Sequence, residues 1–249
     1  MKRLKRALLM PWAGGGRSYT QKVLGTATAN LIAYWPLGET SGGTADNAEG
    51  TAARDGAYSN VTLGATGIGD GNTAATFNGT TSFVDIFSAS IQSAFNNQEG
   101  TAAMWVQVTA AGVWTDGSFR RVLGLRVSGS NEVFIHKSST NNQMQVGYVA
   151  GGTTKSVAFA VGPTLTWHHI AITWSKSVDQ VIVYLDGAQT GTTQTGLGVW
   201  VGSIANGLTN IGCRNNVVPD QLWSGTSAHT AIWTTPLSAA QILTLATVS

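Results

Sequence analysis

The chain has 249 residues, only 10% of them charged, and a formal net charge of +2; an average soluble domain is about one quarter charged. That length suits one large all-β domain, and a surface so poor in ions must be solvated by its many Gly, Thr, Ser and Asn residues. The single cysteine, Cys213, excludes an intrachain disulfide, so stability has to come from packing.

The charge is unevenly placed. Residues 1–22 hold Lys2, Arg3, Lys5, Arg6, Arg17 and Lys22 and no acid, leaving eight basic and twelve acidic groups on the rest of the chain. A basic start followed by apolar residues invites a signal-peptide reading, but the run Ala7 to Met10 is broken at Pro11. The expectation is instead an anchoring arm, with Leu8, Leu9, Met10 and Trp12 beside the basic residues and a hinge at Gly14 to Gly16. Such a basic, apolar arm fits a partner surface; the other reading is a tail with no structure of its own.

Ser18 and Gln21 have capping-box spacing, which predicts a short helix over 19–25. Asn30 to Leu37 predicts the first strand, and the Gly- and Asn-rich text up to Asn72 holds one predicted strand at Ala57 to Leu63. Ala74 to Phe87 predicts two strands around Asn78-Gly79, 88–96 a turn or two of helix, and Thr101 to Thr109 another strand. After the turn at Asp116-Gly117, the residues Arg120, Arg121 and Arg126 form the body's only basic cluster. Asn131 to Lys137, Gln143 to Val149 and Lys155 to Val161 predict a meander.

The stretch Trp167 to Gly187, WHHIAITWSKSVDQVIVYLDG, is the centre of the pattern. Ile170, Ile172 and Trp174, then Val181, Val183 and Leu185, repeat with period two, the signature of paired strands on a core. Asp186-Gly187 supplies the positive φ angles of a tight hairpin turn. Two long loops follow, and a second capping box, Ser238 with Gln241, predicts a last helix over 238–246.

This central stretch resembles the middle of a laminin-G-like (concanavalin A-like) jelly roll of the type found in phage structural proteins. LIAYWPLGETSG (31–42), FNGTTSFVDI (77–86) and AHTAIWTTPLSAAQI (228–242) resemble its opening, second and closing segments, in order. The resemblance runs over about residues 30–247. It implies an all-β, two-sheet antiparallel jelly-roll sandwich at 30–249 with a short C-terminal helix; the charge and capping-box readings add a basic and apolar arm with a short helix at 1–29. It also implies calcium near Asp46 and Asn47, although the closing segment, where relatives supply acids, reads Ser227-Ala228-His229-Thr230. No other cofactor is expected.

The resemblance takes in glycosidases, which need two carboxylates about 5 to 10 Å apart across the bond. The twelve acids here are scattered, mostly beside glycine in turns, with no acid pair at strand spacing. His168 and His169 fall on opposite faces of their strand with no acid or cysteine near them in sequence. The expectation is a protein that is not an enzyme. Among the tryptophans, Trp35, Trp105, Trp167, Trp174 and Trp233 fall in strand patterns and read as core. Trp114, Trp200 and Trp223 fall in loops and read either as a glycan or partner contact surface or as plugs for the ends of the sandwich.

The leading functional expectation is a virion structural protein, a phage head-decoration or fibre-type protein. Its arm would fasten to capsid or other virion subunits, and its jelly roll would meet host or environmental glycans. It is expected at the virion surface in oligomeric form, with neither membrane nor sequence-specific nucleic acid as partner. The alternative is an extracellular bacterial lectin or adhesin module, and a polysaccharide-active enzyme is third.

Overall fold

The computed structural model describes residues 17–248. The anchoring side chains Lys2, Arg3, Lys5, Arg6, Leu8, Leu9, Met10 and Trp12 lie outside the described residues. The chain opens with α1 (Tyr19–Gly25), β1 (Leu31–Trp35), β2 (Thr44–Ala45), β3 (Gly56–Ser59), β4 (Thr62–Thr66), β5 (Thr73–Asn78), β6 (Phe83–Asp85) and α2 (Ala89–Ala94). The long strands follow: β7 (Glu99–Gln107), β8 (Arg120–Ser128), β9 (Asn131–Lys137), β10 (Gln143–Ala150), β11 (Thr153–Ala160) and β12 (His168–Ser175). β13 (Gln180–Leu185), β14 (Ala188–Gln194), β15 (Asn210–Ile211), β16 (Ser224–Trp233) and α3 (Ala239–Leu245) complete it.

All pairings are antiparallel and form two sheets. One runs β14-β13-β12-β7-β16-β5-β4, with β1 also paired to β16; the other runs β11-β10-β9-β8-β15-β6-β3-β2. This is the expected jelly-roll sandwich. Ile170, Ile172, Trp174, Val181 and Val183 of the first sheet meet Val133, Ile135, Val146 and Tyr148 of the second in one core, with Leu185 partly buried beside it. The hairpin between β13 and β14 turns on Asp186 (φ 51°) and Gly187 (φ 85°), as expected of that dipeptide. Both capping boxes form, Ser18 with Gln21 on α1 and Ser238 with Gln241 on α3.

The outer face of the first sheet carries a second apolar layer. Tyr19 and Val23 of α1 and Ile242 and Leu245 of α3 are buried against Tyr34, Trp105, Ala171 and Tyr184. We call this the helix-covered sheet and the other the open sheet. The described part of residues 1–29 is therefore built into the sandwich rather than standing off it. Among the described residues no helix is long and apolar enough to cross a membrane.

Two expectations need correction. The single strand expected over 57–63 is two, split at Asn60 (φ 52°); β3 lies in the open sheet and β4 in the helix-covered one. The loop tryptophans expected as a contact surface, Trp114, Trp200 and Trp223, are 1%, 5% and 0% exposed. The reason is that their loops fold back onto the sandwich, so all three rings join the core between the sheets. The Trp114 indole N–H donates to the Thr164 carbonyl (2.8 Å), and the Trp200 ring packs on Tyr148 and Phe95. Replacing Trp200 or Trp223 with alanine is expected to cost about 3 to 5 kcal/mol of stability. An unchanged urea midpoint in either variant would contradict this packing.

His168 also has an acid partner, supplied by the hairpin turn. Its Nδ1 lies 2.8 Å from Asp186 Oδ2, while Asp186 Oδ1 accepts from the His169 amide (2.8 Å). The hydroxyls of Thr164 and Thr166 lie 3.1 and 3.4 Å from Nε2, so the imidazole locks the loop before β12 to the turn after β13. Burial raises the Asp186 carboxyl, but these hydrogen bonds outweigh it and hold the group below its ordinary value. Asp186→Asn keeps a residue that tolerates positive φ and is expected to cost about 1 kcal/mol, since the carboxylate is half exposed. A depressed carboxylate stabilises above its unfolded pKa of about 3.9 and loses that effect as pH falls through the folded value. The difference between wild type and variant in urea midpoint should therefore be largest at neutral pH and close below about pH 4.

Candidate functional site

The outer face of the open sheet gathers the charged groups that the strands can hold. Along β9, Glu132, Phe134 and His136 alternate with Val133 and Ile135, which enter the core, so the first three share the outer face. Strand register sets Arg121 of β8 and Gln145 of β10 on either side of His136, and Gly147 beside Phe134. A Cβ at Gly147 would stand 2.7 Å from Phe134 Cζ, so the ring lies across the space the glycine leaves. The Arg121 guanidinium sits over that ring at 5.1 Å, and the His136 ring stacks on it at 4.8 Å. Phe119 stands edge-on to His136 at 5.4 Å and is 45% exposed.

Around these rings the charges interlock. Glu132 Oε2 lies 3.4 Å from Arg121 Nη2 and 3.3 Å from Arg126 Nε. The Arg121 amide donates to the Gln221 carbonyl (2.6 Å), which brings in the loop where Arg214 pairs with Asp220. Burial, then the charge of Arg121, pushes the His136 imidazole down to about 3, so it is neutral at ordinary pH. Its Nε2 faces Gln145 Oε1 at 3.1 Å, while Gln145 Nε2 donates to Ser156 Oγ. An amide oxygen only accepts, so Nε2 carries the proton and Nδ1 is left as a bare acceptor.

Fourteen buried side-chain polar atoms among the described residues have no aligned hydrogen-bond partner, and half of them lie on this face. They are Arg121 Nε and Nη1, Arg126 Nε, Glu132 Oε2, His136 Nδ1, Asp220 Oδ1 and Gln221 Oε1. Leaving one buried polar group unpaired costs about 1 to 3 kcal/mol. Each of these atoms is itself shielded from solvent, and Glu132 Oε2 and Arg126 Nε already face each other at 3.3 Å, so the network is held together by charge rather than by aligned hydrogen bonds. The arginine cluster was visible in the sequence; its partners Glu132, His136 and Asp220 were not singled out there. A small cleft of about 250 Å³ beside α3, lined by Thr173, Ser175, Ile182, Tyr184 and Leu237, offers no charged side chain.

The loop where calcium was expected is closed on itself. Asn47 Oδ1 accepts from the Tyr34 amide (2.8 Å) and its Nδ2 donates to the Thr51 carbonyl (3.1 Å), while Glu39 accepts from the Asp46 amide (2.8 Å). On the closing strand His229 (φ 53°) sits in a bulge of β16, with Nδ1 2.7 Å from Tyr34 Oη and Nε2 3.1 Å from Asp70 Oδ2. Burial raises the Asp70 carboxyl, but contacts from His229 and Asn72 outweigh it and hold it at about 2. Calcium needs six to eight hard oxygens; here the asparagine is spent on backbone and an imidazole occupies the closing position, so the residues do not fit that ion. Among the described residues no three His, Cys, Asp or Glu side chains group as metal ligands. Burial, with Asp220 and Asp85 nearby, raises the Cys213 thiol to about 12, which leaves it unreactive.

The fold has solved counterparts. Trypanosoma rangeli sialidase in complex with sialic acid is similar with a TM-score of 0.65 at 15% identity, over 88% of this chain and 33% of that one. The botulinum neurotoxin serotype D binding domain is similar with a TM-score of 0.65 at 11% identity, over 87% of this chain and 51% of that one. The chain thus spans between a third and about half of those chains, and at such identities the likeness is one of fold. No curated protein sequence matches the chain. A family model of the laminin-G type, for the concanavalin A-like lectin/glucanases superfamily, matches residues 78–243. With more than half of its length matched, the chain belongs to that superfamily.

Proposed function

We propose that the domain binds a glycan on the outer face of the open sheet and does not cleave it. The observation that carries this reading is the exposed ring of Phe119, 45% accessible and edge-on to His136, beside the arginine and glutamate network of this face. Sugar rings present hydroxyls around a C–H face, and sites for such ligands combine apolar contact with a few placed polar groups. Two similar folds support it, one solved with sialic acid and one a toxin's binding domain. Catalysis is disfavoured by the company the carboxylates keep. Glu132 lies between two guanidiniums and Asp220 against a third, whereas a general acid needs surroundings that keep it protonated. On a glycan array, Phe119→Ala is expected to lower binding at least tenfold with little change in urea midpoint, because the ring is 45% exposed. Wild-type binding to no glycan, or turnover of a bound one, would overturn the reading.

We place this domain on a virion surface, attached to capsid or other virion subunits through residues 1–16. The support is the basic and apolar character of Lys2, Arg3, Lys5, Arg6, Leu8, Leu9, Met10 and Trp12. Burial of the four apolar side chains is worth on the order of 1.5 to 3 kcal/mol each, less the entropy of ordering the segment. Both apolar layers lie within the described residues, so a chain lacking residues 1–16 is expected to keep its urea midpoint and lose sedimentation with particles. Normal particle assembly by the shortened chain would instead favour an extracellular lectin.

A further inference from the structure

We propose that Asn206 is a site of spontaneous chemical modification, where the chain converts its own asparagine to aspartate and isoaspartate with water as the only co-reactant. Two Asn-Gly dipeptides lie in the sequence, Asn78-Gly79 and Asn206-Gly207. In such a pair the glycine, lacking a Cβ, lets its backbone nitrogen reach the preceding side-chain amide. The Gly207 nitrogen loses its proton to base and attacks Asn206 Cγ. The new C–N bond closes a cyclic imide, and the Cγ–Nδ2 bond breaks to release ammonia. Water then opens the ring. Breaking the bond to the side-chain carbon gives aspartate; breaking the bond to the main-chain carbonyl carbon gives isoaspartate, in which the chain runs through the side chain. Nothing is oxidised or reduced.

Both asparagines are exposed, so exposure does not separate them. Asn78 is clamped. Its Oδ1 accepts from the amides of Thr80, Thr81 and Ser82 (2.9, 2.9 and 3.2 Å), its Nδ2 donates to Thr81 Oγ1 (3.0 Å), and β5 pairs it with Ser224. Ring closure there has to surrender those bonds and turn a backbone fixed in the sheet. Asn206 sits instead in a turn closed by the Leu208 amide on the Ala205 carbonyl (3.1 Å), with Gly207 at φ 76°. Among the described residues neither the Asn206 side chain nor the Gly207 N–H has a hydrogen-bond partner. Attacking and attacked groups are both free. The Gly207 carbonyl accepts from the Asn216 amide (2.9 Å) and from Asn210 Nδ2 (3.0 Å), and so holds the loop that shows Val217 and Val218, 77% and 71% exposed. Isoaspartate adds one atom to the main chain ahead of that carbonyl, which displaces it from both donors and releases the loop.

The test incubates the full chain, folded and separately in urea, at neutral and at mildly alkaline pH. Its peptides are then mapped by mass spectrometry with electron-transfer fragmentation, which tells isoaspartate from aspartate. In the folded chain Asn206 should convert about tenfold faster than Asn78, the factor that one surrendered hydrogen bond is worth. Conversion should be faster at the higher pH, because the glycine nitrogen has to lose its proton. In urea the two rates should converge, since the dipeptide is the same. Amide exchange at Asn216 should quicken in the isoaspartyl form and stay slow in Asn206→Gln, whose longer side chain closes the ring poorly. An Asn206 that survives folded incubation, or an Asn78 that converts as fast, would overturn the assignment of the site. Unchanged Asn216 exchange in the isoaspartyl chain would overturn the release of the loop.

Discussion

The phenol oxygen of Tyr19 accepts the indole N–H of Trp105 (2.7 Å) and donates its own hydrogen to the carbonyl of Leu245 (2.7 Å), so a sheet strand, the first helix and the last meet at one atom. Burial drives that phenol well above its ordinary pKa, which keeps it neutral and able to play both parts. The ring below it packs on His229 at 4.4 Å, which in turn holds Tyr34 and Asp70. Helices of seven residues do not persist alone. α1 and α3 exist because this junction lets Tyr19, Val23, Ile242 and Leu245 leave water against the sheet, at about 1.5 to 3 kcal/mol per large side chain.

The asymmetry of the molecule follows from that junction. One sheet has both faces covered, so its outer residues can be aromatic and apolar. Among the described residues the other has no helix above it, and its outer face is built from side chains that cover one another. Arg121 and His136 flank Phe134, Gly147 makes room for the ring, and Glu132 balances two arginines. That arrangement keeps the apolar ring dry without giving every polar atom a partner. The two sheets are thus stabilised differently, one by apolar helices and the other by a network of its own side chains.

What could be read from the sequence was mostly local. Period-two runs such as Ile170-Ile172-Trp174 marked strands, Asp186-Gly187 marked a turn, and Ser18/Gln21 and Ser238/Gln241 marked helix starts, because each needs only neighbours within a few residues. Sheet membership is not local. Nothing around Asn60 announces that β3 and β4 part to opposite sheets, and no spacing ties His168 to Asp186 across a hairpin. The loop tryptophans misled for the same reason: their polar neighbours describe the loop, whereas burial depends on where the loop lands. The candidate site was half visible, since Arg121 and Arg126 stand out in a chain so poor in charge. Glu132 and His136 join them only through the register of three strands.

The two helices also decide how the molecule can be held. α1 and α3 lie side by side on the covered face, and Lys22 reaches the Thr247 carbonyl, so the described ends of the chain emerge together there. A tether or fusion joined at either end grips the domain by its back and turns the arginine-rich sheet away from whatever holds it. Many copies fixed to one support would present that sheet outward in common orientation. Weak individual contacts would then add as avidity, with a gain set by the spacing of the copies rather than by any new contact.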